Sequence, residues 1–494
     1  MLLTAQHLLT FQRCPRQVFL DVYGDMQQKA PPSDFLKKLT QDRIQHQNDF
    51  FEQQNWIKPQ YPAQDWLAGA QATLALMQKG ADQIRSGVLL WEAKPGLRYM
   101  STPDLLTKVS GVSSFGDWLY VPTDIKLSKR PKLEYQILVA FHAQLLAEIQ
   151  GGVPPQAFLY LRDRGWYSVD LPKTHPKLMG VLQDLEQTLE GTQTPEVFIV
   201  RNRCSLCGWF NHCYGIAQAE QHLSLLPGVT PSRYPILASQ NLHSVEALAH
   251  LEPVVLQART GFTREVSTKL VYQAQAFVQN QPIALHPPGQ PPQPLPTAPI
   301  ELYFDIEAEP SLNLAYLHGV LVVDRAQQTQ TFYPLLAKHC EEEAHIWYQF
   351  LELVHRYPDA PIFHFCAYEV QTVERLAAMY PTAASNLECL IPRFVDLHDW
   401  ITRSVTLPIE NYTLKLIARW LGFHWRNAEA NGAQSIYWYG QWLETQDPWF
   451  LETIVTYNED DCRATYHVKD WLTAFLHEQN QEERYPHTLP SVAS

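Results

Sequence analysis

Asp305 and Glu307 stand two residues apart in IELYFDIEAE, so on a strand both carboxylates leave from one face. Such a pair, joined by two more acids, can hold two divalent ions about 3.5–4 Å apart. Glu369 in HFCAYEV and Asp461 in TYNEDD are the candidates for those places, with Asp396 in FVDLHDW a further acid that is read as structural. Tyr457 precedes Asp461 by four residues, which puts both on one helical face, and its hydroxyl can there orient an attacking water. The chemistry of such a group is metal-assisted hydrolysis, with Mg²⁺ or Mn²⁺ as the ion.

A second set lies upstream. Asp104 follows Thr-Pro, and Asp124-Ile125-Lys126 follows twenty residues later. Two hairpin-related strands would bring the two aspartates to one Mg²⁺, with the Ile125 carbonyl as another hard oxygen ligand. Lys126 shares the face of Asp124 and is suited to orient or deprotonate a water and to offset phosphate charge. His46, on a preceding helix, is a candidate nitrogen ligand. Lys129, Arg130 and Lys132 follow the site, where substrate phosphates need positive charge.

Four of the eight cysteines form a third set: Cys14 near the start, and Cys204, Cys207 and Cys213 within ten residues of one another. Thiolates at C-x-x-C spacing chelate a zinc ion or an edge of a [4Fe–4S] cluster, and a distant ligand closes the shell. Spacing alone leaves both open. The other cysteines are scattered and are read as ordinary small residues.

The elements that must position these groups can be read from pattern. Residues 34–55 have helical spacing, STPDLLTKVSG and DWLYVPTDIKLS alternate as strands, and KLEYQILVAFHAQLLAEIQ reads as an amphipathic helix stopped by Gly151 and Gly152. QAFLYLRDRGWYSVDL reads as a hairpin around Arg164–Gly165. Residues 216–280 form a small helical unit, and 281–299 are a proline-dense, semi-rigid linker. The expected organisation is an α/β multidomain chain: 1–215 with the four cysteines, 216–280, the linker 281–299, a second α/β domain over 300–480, and a tail 481–494.

The order His46, Asp104, Asp124, Lys126 and Gln136 resembles the RecB-like branch of the PD-(D/E)xK nucleases, in which a helix with the Gln follows the D-x-K strand. The resemblance implies a restriction-endonuclease-like core and a catalytic role for Gln136. The sequence departs from the pattern where Gln47 replaces a Glu and where Ala140, Phe141 and His142 stand in place of a Tyr. One cysteine before such a core and three after it resembles the iron–sulfur nucleases, which favours [4Fe–4S] with a structural role. The D-x-E strand, the middle acid and Tyr457-x3-Asp461 resemble the DnaQ-like exonucleases of the RNase H-like fold, with Glu369 for the usual Asp. Leu226-Pro-Gly228 and Gly261-Phe262 resemble helix–hairpin–helix modules, which hold DNA phosphates through backbone N–H groups, although Thr230 replaces a second glycine.

These resemblances imply a DNA nuclease with two metal-dependent sites, acting on single-stranded ends or flaps in repair or recombination. RNA 3′-end trimming and a catalytically decayed DNA-binding scaffold are the alternatives. No phosphate-binding G-x-x-x-x-G-K-[ST] occurs, which prompts the expectation of a helicase in trans. The net charge of −13 is unhelpful for phosphate binding, but residues 1–299 hold 26 basic and 24 acidic groups and 300–494 hold 12 and 27, so the excess lies at the carboxyl-terminal end. With no signal peptide, no apolar span and cysteines grouped as ligands, the expected location is the cytoplasm, away from membranes.

Overall fold

A computed structural model describes residues 1–52, 54–285 and 293–484. Residues 286–292 of the expected linker and 485–494 of the expected tail lie outside them. The chain forms two compact units, residues 1–197 with 201–214, and residues 198–200 with 215–494.

The first unit is built on a five-stranded mixed sheet in the order Gln83–Arg85, Leu105–Ser113, Gly116–Lys126, Phe158–Leu161, Gly165–Ser168. Leu105–Ser113 and Gly116–Lys126 are an antiparallel hairpin, whereas Gly116–Lys126 and Phe158–Leu161 run parallel. A parallel pair needs a crossover, and the helix Leu133–Gln150 supplies it, ending at Gly151 in the left-handed region (φ 64°). The sequence reads that helix as amphipathic. Instead, Ile137 through Ala143 are all buried. Val139 and Ala143 pack on the sheet with Leu159 and Leu161, while Ile137, Ala140 and Phe141 join a separate core with Leu8 and Leu182. Enclosed between two layers, the stretch Ile137–Ala143 has no solvent face, and this brings its one polar side chain, His142, into the interior. Along the sheet, the helix Asp34–Glu52 buries Phe50 and Phe51 against Leu105 and Ile125.

The second unit holds a five-stranded sheet in the order Thr329–Leu336, Leu314–Asp324, Ile300–Glu309, Ile362–His364, Phe394–Asp396. The first three strands are antiparallel neighbours, and the last two run parallel to Ile300–Glu309. Even positions of the central strand (Leu302, Phe304, Ile306) pack with Trp347 and Phe350 of the helix Glu343–His355. Odd positions face the long helix Pro448–Arg484, to which the strand is tied by a buried ion pair, Lys469 Nζ to Glu301 at 2.8 Å. Arg325 and the Tyr303 hydroxyl take the remaining Glu301 oxygen at 2.5 and 2.7 Å, so the buried carboxylate is fully paired.

The segment 216–280 is helical, as Tyr234–Ser239, Val245–Ala249, Pro253–Thr260 and Arg264–Gln279, around Leu237, Leu248, Leu256 and Leu270. It belongs to the same compact unit as the sheet. Ile283–Ala284, inside the expected linker, pairs antiparallel with Val405–Thr406, and Gln273 Nε2 donates to the Leu407 carbonyl at 2.6 Å. Proline density marks where a ladder is interrupted, not where every contact ends. Among the described residues no helix is long and apolar enough to cross a membrane.

Candidate active sites

The carboxyl-terminal site is assembled by register. Asp305 lies opposite Gly319 across the Ile300–Glu309 and Leu314–Asp324 pair. A Cβ at Gly319 would stand 1.7 Å from Asn458 Oδ1, so only glycine lets Asn458 approach the sheet here. From that position Asn458 Nδ2 donates to Asp305 Oδ2 at 2.7 Å and to the Asp305 carbonyl at 3.3 Å. Three residues further along the same helix, Asp461 accepts from Trp425 Nε1 at 2.7 Å. One carboxylate oxygen each from Asp305, Glu307 and Asp461 fall within 4.8 Å of one another. Among the described residues this is the one trio of candidate ligands so close.

Three acids that near each other, and nearly buried, cannot all be ionised cheaply. Burial first, then Asp461, Glu307 and Glu369, hold the Asp305 carboxyl well above its usual range. Burial and Asp461 do the same to Glu307, and burial pushes Asp461 up to about 7 against the hydrogen bonds of Trp425 and Tyr457. Burial and the three acids keep the Tyr457 hydroxyl protonated, so it is a donor, bonded to Asp461. This donor set of clustered, underneutralised hard oxygens suits one or more divalent cations.

Glu369 lies in the first turn of the helix Tyr368–Met379 and is buried, 3.5 Å from His364 Nδ1, with its Oε2 making no hydrogen bond. It is not one of the close trio, but its charge is felt at Asp305 and Glu307. The turn that delivers it runs through Cys366 at φ 77°, whose N–H donates to Asp396 Oδ1 at 3.0 Å. Asp396 also caps the helix Leu397–Ser404 through the N–H groups of His398 and Asp399. Its Oδ1 therefore serves three backbone N–H groups.

In the amino-terminal unit Asp104 and Asp124 converge. Asp104 Oδ2 accepts from the Ile125 N–H at 2.7 Å, and the Asp104 N–H points at Asp124 Oδ1 at 3.3 Å. Lys126 Nζ lies 2.8 Å from Asp124 Oδ2. Burial and Asp124 push the Asp104 carboxyl up to about 6. Burial acts on Asp124 in the same sense, but Lys126 and His142 outweigh it and hold Asp124 well below the carboxylate range. Burial would lower Lys126, yet Asp124 and Asp104 leave it raised, so its ammonium stays charged.

Two expected partners are placed elsewhere. The helix Asp34–Glu52 presents Gln47 to Asp104, Nε2 to Oδ1 at 2.8 Å, while His46 stacks on Tyr160 at 5.9 Å with its Nε2 buried and unbonded. Neighbouring helical residues point about 100° apart, so the two cannot both face the acids. Gln136 donates its amide to the Pro131 carbonyl at 2.7 Å, at the start of its own helix, and makes no hydrogen bond to the acids among the described residues. His142, one and a half turns further along, brings Nε2 to 3.3 Å from Asp124 Oδ1. Gln47 and His142 were visible in the sequence only as departures from a pattern.

The four cysteines come together. Cys14 separates the helices Ala5–Arg13 and Pro15–Tyr23 and caps the second, its Sγ accepting from the Gln17 N–H at 3.3 Å. Cys204 and Cys207 share a tight turn, and Cys213 lies on the helix Phe210–Ala219. Burial raises the Cys207 thiol to about 11, and Cys14, Cys204 and Cys213 add to the shift. Arg16 reaches Cys213 and lowers its thiol in part. Among the described residues no three of the sulfurs lie within 4.8 Å of one another.

Residues 302–473 match the RNase_H superfamily, and this stretch of the chain is an RNase H-like domain. The matched stretch runs from the D-x-E strand to the helix of Asp461. No curated protein matches the chain. A domain of this class points to a nuclease-type hydrolase that acts on nucleic acid with divalent metal, and the acidic trio supplies the ligands such an activity needs.

Proposed function

We propose that the chain is a divalent-metal-dependent DNA nuclease with two active sites, one in each compact unit, that processes single-stranded ends or flaps during repair or recombination. The observation that carries this reading is convergence: Asp305, Glu307 and Asp461 gather in a buried trio although more than 150 positions separate Asp461 from the other two. Bound there, Mg²⁺ or Mn²⁺ would polarise the phosphodiester and lower the pKa of a water. The protein's part is to hold the acids by Asn458 and Trp425 and to keep the Tyr457 hydroxyl as a fixed donor.

In the amino-terminal unit the reading as a RecB-like nuclease is supported by the hairpin that joins Asp104 to Asp124, by charged Lys126 beside them, and by the mixed sheet with its crossover helix. The hairpin turns at Gly228 (φ 87°) and Gly261 (φ 73°) support a phosphate-binding role for the helical segment 216–280. The same reading puts a [4Fe–4S] cluster at the four thiols, with the cap N–H and Arg16 facing its negative charge, and zinc as the alternative.

Labelled single-stranded DNA and RNA, incubated with anaerobically purified protein and Mn²⁺, test the activity. DNA is expected to be cleaved, Asp124→Ala and Asp305→Ala each to lose a part, and the double variant to lose all. Wild-type protein that leaves DNA intact would be a scaffold, and cleavage confined to RNA would move the substrate to that polymer. The cluster is tested separately by colour: the preparation should be brown, and Cys207→Ser should bleach it. A colourless anaerobic protein carrying stoichiometric zinc would remove the cluster from the proposal.

A further inference from the structure

Residues 300–494 hold 12 basic groups against 27 acidic ones. A polyanion that approaches the acidic trio of this region is repelled unless positive charge is kept available for it. Most of the basic groups are already committed. Seven of the 12 lie within 2.8 Å of a carboxylate. Arg393 spends its guanidinium on the carbonyls of Val354, Tyr357 and Ala360, and Lys338 stands on the exposed turn after Thr329–Leu336.

Lys415 and Arg419 are different because they act as a pair. They lie four residues apart on the helix Leu414–Trp420 and so share a face. Among the described residues their side chains hydrogen-bond to carbonyl oxygens alone. Lys415 Nζ donates to Ala428 at 2.9 Å and to Ala430, and Arg419 Nη2 donates to Ala428 at 3.1 Å. An ammonium has three donors and a guanidinium five, so both keep donors beyond these carbonyls. Burial and then Arg419 lower the Lys415 ammonium, against the pull of Asp461 and Glu429. Two like charges drawn onto one carbonyl repel each other, and an anion set between them would relieve the repulsion.

The pair stands beside the acids. Lys415 Nζ is 5.8 Å from the centre of the Trp425 ring, and Nε1 of that ring donates to Asp461 Oδ1 at 2.7 Å. The charge of Lys415 is felt at Asp461 itself. Arg426, the residue after Trp425, is by contrast neutralised by Asp460 and Glu459. We propose that Lys415 and Arg419 form a phosphate-binding site for the nucleic-acid strand that is cut at Asp305, Glu307 and Asp461. This rests on the nuclease reading of the acidic trio and adds to it the means by which an acidic domain holds a polyanion. A phosphate is the same in every nucleotide, so the contact fixes the strand without reading its sequence.

The test is kinetic and uses the full chain in an Asp124→Ala background, so that cleavage reports the carboxyl-terminal site. The substrate is whichever of a thymidine and a uridine oligonucleotide that site cleaves with Mn²⁺, since both carry the phosphate, and the salt concentration is varied. Lys415→Gln and Arg419→Gln remove the charge and keep an amide that can donate to Ala428 and Ala430, so a brace for that segment survives in both. Each is expected to make the dependence of log KM on log salt shallower by about 0.7, the loss of one phosphate contact on a single strand. At about 0.1 M salt KM should rise roughly 3- to 10-fold, with kcat of Arg419→Gln within about two-fold, because the contact binds ground and transition state alike. Lys338→Gln, which removes an exposed cation from a different turn, should move neither slope nor KM. One uncharged methylphosphonate linkage near the cleaved bond should raise KM for the protein with both cations and leave that of the Lys415→Gln, Arg419→Gln double variant as it was. A double variant with the original slope and KM would make the two residues mere braces of the 427–431 segment and overturn the phosphate site, while the nuclease reading stood. An Asp124→Ala protein that cleaves neither oligonucleotide would overturn the carboxyl-terminal nuclease reading and the phosphate site with it.

Discussion

Asp305→Asn is expected to stabilise the metal-free protein while abolishing metal-dependent cleavage by the carboxyl-terminal site. The variant keeps the shape of the side chain and an oxygen for Asn458, but it removes one of three acids that share a volume under 5 Å across. In the absence of a cation burial raises all three, and Asp461 raises Asp305 and Glu307 further, so the folded state carries a cost that the unfolded chain does not. Relieving it should add about 1 kcal/mol or more, roughly 2–4 °C in the melting temperature of a domain of this size. The same change removes a hard anionic ligand, and losing one preorganised group of this kind costs about 10²–10³ in rate.

The pH dependence follows with a definite sign. Asp461 titrates near 7 in the folded protein, against an ordinary value of 3.8. Between those values the native state binds more protons than the unfolded one, so stability falls as pH rises through that window. Metal-free wild type should therefore melt lower at pH 8 than at pH 5, with a shallower slope in Asp305→Asn. Mg²⁺ should reverse the order by mass action, raising the melting temperature of the wild type and not of the variant. Thermal melts with and without Mg²⁺ at the two pH values read all of this. A metal-free Asp305→Asn protein that melts below wild type at pH 8, or that gains as much from Mg²⁺, would contradict the electrostatic account.

Much of both sites was legible because ligand chemistry restricts residue type. Asp305 with Glu307, Tyr457 with Asp461, and Asp124 with Lys126 are local pairs whose geometry is set by the strand or helix period alone. What was hidden depends on long-range register. Nothing near Asn458 states that it faces Gly319, and nothing near Trp425 states that its indole reaches Asp461. His142 looked like a residue on an amphipathic helix, and only the second layer packed over that helix turns it into a buried neighbour of Asp124. The helix Asp34–Glu52 was readable, but which of His46 and Gln47 meets Asp104 depends on its rotation about its own axis, fixed by Phe50 and Phe51. The strand Ile283–Ala284 was masked by the prolines that follow it. One clue was present and unused: an isolated glycine in LAYLHGVLVVD, an otherwise apolar strand, marks a close approach.

That glycine carries the second large expectation. Gly319→Ala should lower cleavage at the carboxyl-terminal site by about ten-fold or more and destabilise its domain by about 1–3 kcal/mol, the usual cost of overpacking. The added methyl meets Asn458 Oδ1 at 1.7 Å and its Cγ at 2.8 Å, distances no side chain tolerates. Asn458 is fully buried on a long helix, with Cys462 one turn later also against the Gly319 carbonyl, so it cannot simply swing into solvent. Either Asn458 leaves Asp305 or the helix lifts from the sheet, and in both cases Asp305 and Asp461 lose their relative placement. The double variant distinguishes this from a generic core defect. Asn458→Ala removes the colliding atoms, so Gly319→Ala should cost much less stability in that background than in wild type, a coupling of about 1 kcal/mol or more in a double-mutant cycle. Activity should not recover with it, because the donor that orients Asp305 is gone. Denaturant melts of the four proteins, with cleavage measured on each, decide the matter: additive losses of stability would mean that Gly319 is needed for some reason other than the approach of Asn458.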